Sequence, residues 1–122
     1  MKKIISQISI NYKKSIYDAL DQLNKSKYQC LFVVNDQKKY LGTLTDGDIR
    51  RYIVKNKNLK KQIKEIYNKK SIFFFNSDNL KKDKITKIFQ KNKIRICAIL
   101  NKNKTIINFY EQFKLNKQNQ QR

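Results

Sequence analysis

Gly42-Thr43-Leu44-Thr45-Asp46-Gly47-Asp48-Ile49-Arg50-Arg51 joins an apolar strand to a helix with no loop between them. The apolar run ends at Leu44, and Thr45 or Asp46 is placed to cap a helix that continues through Ile49 and Ile53. Gly47 keeps the first helical turn sterically open. A helix start of this kind offers unpaired N–H groups and a partial positive charge, a natural seat for phosphate. Thr45 adds a hydroxyl, and Asp48 adds an acceptor suited to the paired hydroxyls of a ribose. Arg50 and Arg51 supply guanidinium forks, which fit phosphate oxygens better than an ammonium does. They are two of only four arginines in a chain that otherwise uses lysine. A plain capping box with a solvated charged face accounts for the same residues, and both readings stay open at this point.

Outward from this stretch, the apolar spacing changes in a regular order. Ile16, Ala19, Leu20 and Leu23 recur at helical intervals, with Asn11 or Ser15 as the cap. Residues 30–34 form a short apolar run that reads as a buried strand, and residues 35–39 are a polar turn into the strand 40–44. Downstream, residues 57–70 are a lysine-rich linker carrying Ile63, Ile66 and Tyr67, predicted as a short helix. Then follow a strand over 71–75 and a helix with Leu80, Ile85, Ile88 and Phe89. A strand over 94–100, a polar turn over 101–104 and a strand over 105–107 come next. A last short helix carries Tyr110 and Phe113, and the tail 117–122 is polar and frayed.

The order helix, apolar strand, polar turn, strand, helix thus occurs twice. Val33-Val34-Asn35 falls on Ile99-Leu100-Asn101 and Gly42 on Asn108, an offset of 66 residues. That is the size of one small α/β unit rather than a solenoid repeat. Two units that cannot each cover their own sheet are expected to pack through their sheets with helices outside. The predicted fold is therefore α/β (α+β), with two pseudo-symmetric β-α-β-β-α repeats: 1–56, a linker helix 57–70, 71–116, and the tail 117–122.

Composition removes several classes of function. Among 122 residues, 39% are hydrophobic, enough apolar surface to fold. No apolar run approaches the roughly 18 residues that span a bilayer, and the N-terminus turns polar too early for a secretory signal. A cytoplasmic protein is the expectation. There is no histidine, and Cys30 and Cys97 stand far apart inside apolar runs, so no Cys/His metal site is expected and both read as buried free thiols. Asp46 and Asp48 lack the further ligands of a calcium loop. The formal charge of +20 invites nucleic acid as a partner. The excess is nearly all lysine, spread along the chain beside abundant Ile and Asn, as an AT-rich genome writes into tolerant surfaces. Nonspecific attraction to polyanions is expected, fading with salt. A dedicated nucleic-acid binder acting through lysines 55–70 is the alternative. With no glycine-rich phosphate loop and no nucleophile–base pair, no enzyme is expected.

The segment LFVVNDQKKYLGTLTDGDIRRYIVKN, followed by a linker and SIFFF, resembles the first repeat of a tandem CBS domain pair. Gly42, Thr45 and Asp48 match the family pattern in place. The string GTLTDGDIRR is similar to the variant in CBS pairs attached to sugar-phosphate isomerases and sugar-nucleotide nucleotidyltransferases. The resemblance implies a non-catalytic regulatory module that binds an adenosine nucleotide, with no cofactor. It implies that Thr45 and Asp48 hold ribose and phosphate, with Gly47, Arg50 and Arg51 beside them. By position in the repeat, Ser71, Ile72, Ile94 and Arg95 border the base. The second repeat departs from the pattern: Asn108 replaces Gly, and Glu111 and Lys114 fall where Thr and Asp belong. A glutamate aimed at phosphate repels it, so the second site is expected empty or structural. A homodimer is the family expectation, with Ile49, Ile53, Tyr110 and Phe113 available for the contact or simply for the core. The implied partner is a sugar-nucleotide nucleotidyltransferase domain or another enzyme, the chain being free-standing or the regulatory part of something longer.

Overall fold

The structure is a computed structural model, and it describes residues 2–112. It divides between Ser71 and Ile72 into two compact units. Each unit is a three-stranded sheet with helices, the α+β architecture expected.

The first unit runs α1 (Lys2–Gln7), β1 (Ser9–Asn11), α2 (Ile16–Asn24), β2 (Cys30–Val34), β3 (Tyr40–Thr45) and α3 (Asp46–Asn56). Its sheet has the order β1-β2-β3, with β1 parallel and β3 antiparallel to β2. Ser15 caps α2, its side chain accepting from the Asp18 N–H. Ile16, Ala19 and Leu23 on α2 and Ile49 on α3 pack with Ile10, Leu31, Val33 and Leu44 of the strands, so the helices bury one sheet face. The alternate residues of β2, Cys30, Phe32 and Val34, are buried as well, which is why β2 is apolar throughout.

The second unit runs β4 (Phe73–Phe75), α4 (Lys82–Asn92), β5 (Ile96–Leu100) and β6 (Ile106–Glu111), in sheet order β4-β5-β6. Ile85 and Phe89 of α4 pack on Cys97 of β5, with Ile72, Phe74, Leu80, Ile94 and Tyr110 around them. The repeat holds at the level of register. Val33 opposes Gly42 and Ile99 opposes Asn108, and each ladder slips at the next residue. The turns also match. Asn35 Oδ1 accepts from the N–H of Gln37 and Lys39, Asn101 Oδ1 from those of Asn103 and Thr105. Lys38 and Lys104 both adopt positive φ, 64° and 66°.

Two expectations are corrected. The linker over 57–70 is not a helix; it contains a single 3-10 turn, Ile63–Glu65, and then lies along β3. Tyr110 is not on a last short helix. Pairing with β5 carries β6 through to Glu111, opposite Ile96, and Phe113 and the tail 117–122 lie outside the described residues. Of the residues offered for a dimer contact or simply for the core, Ile49 takes the core role. Ile49 is buried in the first core, Ile53 packs partly against it, and Tyr110 packs partly against the second.

Candidate functional site

The strand-to-helix transition falls where the sequence places it. Thr45 ends β3 in extended backbone and is the N-cap of α3. Its hydroxyl accepts the Asp48 N–H at 3.2 Å, and the Asp48 carboxylate accepts the Thr45 N–H through Oδ2 at 3.0 Å. Both halves of a capping box are therefore present. The other carboxylate oxygen, Oδ1, accepts from Arg51 Nη2 at 2.6 Å. Asp48 is largely shielded while the Arg51 side chain is 74% exposed, so the guanidinium covers the carboxylate from the solvent side. Arg50 reaches back to Asp46 Oδ2 at 3.3 Å, also from an exposed position.

Gly47 has no unusual φ. A Cβ there would meet Arg51 Nη1 at 3.4 Å and Thr45 Oγ1 at 3.6 Å, an ordinary fit. What glycine gives is reach, because a side chain at 47 would stand before the Thr45 hydroxyl and the Arg51 head. Thr45, Gly47, Asp48 and Arg51 thus form one cluster, with Arg50 beside it. The cluster offers a hydroxyl, a helix N-terminus, a carboxylate and an exposed guanidinium.

Of the four residues expected at the base, Ser71 belongs to the first unit and Ile72, Ile94 and Arg95 to the second. Ser71 Oγ lies 2.8 Å from Tyr40 Oη and donates to the Asn68 carbonyl at 3.2 Å, fastening the linker to β3. Ile72 and Ile94 both pack partly on the second core, and the Ile72 carbonyl accepts from Cys97 Sγ at 3.4 Å. Arg95 is half-buried, and its carbonyl accepts the Gln112 N–H at 2.9 Å. Glu111, the counterpart of Thr45, is buried at the end of β6; Lys114 lies outside the described residues.

Sequence reasoning missed Asn68. Its N–H donates to the Thr43 carbonyl at 2.7 Å and its carbonyl accepts the Thr43 N–H at 3.1 Å, adding a bridge to the edge of β3. The signal was Gly42. Glycine inside a strand marks close approach of another backbone, and a Cβ there would overlap the Asn68 carbonyl oxygen.

A groove of about 420 Å³ runs over Asn11, Lys14, Asp18, Asp21, Lys25 and Lys38, and a cleft of about 120 Å³ is lined by Phe74, Asp78, Ile99 and Tyr110 among others. Neither includes Thr45 or Asp48. Lysines and aspartates of mixed sign line the larger one, with no convergent chemistry. Among the described residues no group of three or more acidic or cysteine side chains is placed to hold a metal, and no helix is long and apolar enough to cross a membrane.

Residues 2–55 match the CBS domain family. An uncharacterised protein of Helicobacter pylori is 29% identical over 84 residues, which are 69% of this chain and 25% of that protein. The inosine-5'-monophosphate dehydrogenase of Aquifex aeolicus is 27% identical over 99 residues, 81% of this chain and 20% of the enzyme. The chain thus spans about a quarter or less of these relatives' length. Among solved structures, the CBS domain pair of protein MJ0100, in complex with methylthioadenosine and S-adenosyl-L-methionine, superposes with a TM-score of 0.77 at 20% identity, over 93% of this chain and 88% of that one. CBSX2 in complex with AMP does so with a TM-score of 0.74 at 16% identity, over 93% and 87%. The fold is that of CBS domain pairs.

Proposed function

We propose that this chain is a non-catalytic regulatory module that binds an adenosine nucleotide at the start of α3. Its carrying observation is the reciprocal cap at Thr45 and Asp48, with Gly47 leaving the hydroxyl accessible and Arg51 folded over the carboxylate. A phosphate arriving at the helix N-terminus competes with Asp48 for Arg51, and the freed carboxylate oxygen is then available to a ribose hydroxyl. Adenosine ligands in two CBS-pair structures of the same fold support the choice of ligand class. By position in the repeat we assign Ser71, Ile72, Ile94 and Arg95 to the surroundings of the base. Glu111, a buried carboxylate where Thr45 has a hydroxyl, supports an empty second site.

Ligand binding regulates by population shift, favouring one arrangement of the module that a partner distinguishes. As the responding partner we propose an enzyme domain, a sugar-nucleotide nucleotidyltransferase by sequence resemblance, or a dehydrogenase by the relative in Aquifex aeolicus. We also propose that the module works in the cytoplasm as a homodimer.

The test is a thermal-shift panel of AMP, ADP, ATP, S-adenosylmethionine, GMP and CMP on wild type and on Asp48→Ala. A ligand at a hundredfold excess over its Kd stabilises the folded state by about 2.7 kcal/mol, well within detection. The expected result is a shift by at least one adenosine ligand in wild type that shrinks in Asp48→Ala. Equal shifts in both proteins refute the site, and no shift in wild type refutes the ligand class. A shift produced by every polyanion and lost by roughly 0.2 M salt marks charge attraction instead, as the alternative of nucleic-acid binding requires.

A further inference from the structure

The Arg51 side chain lies across the opening that Gly47 leaves at the start of α3. Its Nη2 donates to Asp48 Oδ1 at 2.6 Å, and its Nη1 stands 3.4 Å from where a Cβ at residue 47 would be. That same point is 3.6 Å from Thr45 Oγ1, so one guanidinium occupies the space beside both the hydroxyl and the carboxylate.

The two oxygens of Asp48 are not equivalent. Oδ2 accepts the Thr45 N–H at 3.0 Å, a bond that starts the helix and is costly to give up. Oδ1 is the oxygen a ligand can take, and Arg51 holds it. Asp48 is fixed by the cap, and its side chain is only 15% exposed. Arg51 is exposed, and Asp48 is its one hydrogen-bond partner among the described residues. A ligand that reaches Oδ1 therefore does so by displacing Arg51.

What the ligand carries decides whether that exchange is favourable. A ribose hydroxyl alone gives Oδ1 a neutral donor in place of a charged one, the weaker of the two bonds. The guanidinium is then left to water. A ligand that also brings a phosphate to the helix N-terminus offers the displaced fork two or more oxygens, and the charged bond is remade there. On the reading of the α3 start as an adenosine-nucleotide site, on which this rests, we propose that Arg51 determines which adenosine ligands enter it. It acts as a gate, admitting those that carry a phosphate and opposing adenosine and its uncharged 5′ derivatives.

Calorimetric titration of AMP, adenosine and methylthioadenosine tests the gate on wild type, Arg51→Met (similar reach, no charge), Arg51→Lys (charge without the fork) and Asp48→Ala. Salt is held at about 0.15 M, where long-range surface attraction is screened. Wild type is expected to bind AMP about tenfold or more tighter than adenosine, the factor one charged hydrogen bond supplies. In Arg51→Met, AMP should weaken by about the same factor, with Arg51→Lys between. Adenosine and methylthioadenosine should instead bind about two- to fivefold tighter in Arg51→Met, because the exposed ion pair no longer has to be broken. A role in folding alone, or in general charge, would not move the two ligand classes in opposite directions. Equal affinity for AMP and adenosine in wild type overturns the gate, and that measurement needs no variant to fold. So does adenosine binding that fails to rise in Arg51→Met while Asp48→Ala abolishes AMP binding, a result that leaves the site itself standing. AMP binding that is absent in wild type, or unchanged in Asp48→Ala, overturns the site and the gate together.

Discussion

Gly42 shows how one missing side chain can hold a molecule together. A methyl group there would overlap the Asn68 carbonyl oxygen and press on the Tyr67 ring, and that carbonyl belongs to a backbone bridge that cannot swing aside as a flexible side chain would. Gly42→Ala is therefore expected to cost about 2 kcal/mol, through overpacking and two strained hydrogen bonds. Urea denaturation reads the loss, and the Thr43 and Asn68 amides should become the first in the unit to gain exchange. Gly47→Ala meets only ordinary contacts, so it should leave stability within about 0.5 kcal/mol of wild type. The two glycines of the chain thus do opposite jobs. The pattern match at Gly42 was legible in the sequence, but the reason for it was not, since the residue it accommodates is 26 positions further on and has no motif of its own.

Among the secondary-structure elements, α3 carries the strongest commitment. Thr45 and Asp48 each satisfy the other's N–H, and that reciprocity makes them a unit rather than two independent contacts. Thr45→Ala and Asp48→Ala are each expected to cost about 1 kcal/mol. The double variant should cost about 0.5 kcal/mol less than the sum, because either single change already dismantles the box. Thermal melts of the four proteins form the cycle; strict additivity would show that the two bonds act separately. Strands and helices with strong periodicity, α2, β2, α3, α4 and β5, were readable from spacing alone. Elements fixed by distant partners were not. The short β1 exists through its parallel pairing with β2, β6 outruns its apolar residues because β5 continues beside it, and the linker gives up helix to bridge to β3. The helix start at Thr45 was legible for the same reason it is stable: every residue that makes it lies within six positions.

Across the molecule, Cys30 and Cys97 are free and buried, and at Cys97 burial pushes the thiol up to about 12. The unfolded chain releases that proton near pH 9, whereas the folded chain retains it until about pH 12. Between those values the unfolded state binds fewer protons, so stability falls as pH rises, by at most about 1.4 kcal/mol per pH unit from this group. Wild type and Cys97→Ala isolate the effect, because every other side chain is common to both. The stability difference between them, read by urea denaturation, should be constant below pH 8 and drift toward the alanine variant above pH 9. Iodoacetamide at pH 8 should leave Cys97 unmodified until the chain unfolds.

A connector stitched to the sheet it has just left belongs to that sheet's half of the molecule. The joint between halves consequently sits after Ser71, not at the end of α3 where the helical spacing stops. Anyone recombining such halves, or inserting a reporter between them, would do well to cut there: a splice made earlier would tear a seam, and one made at Ser71 would merely open it.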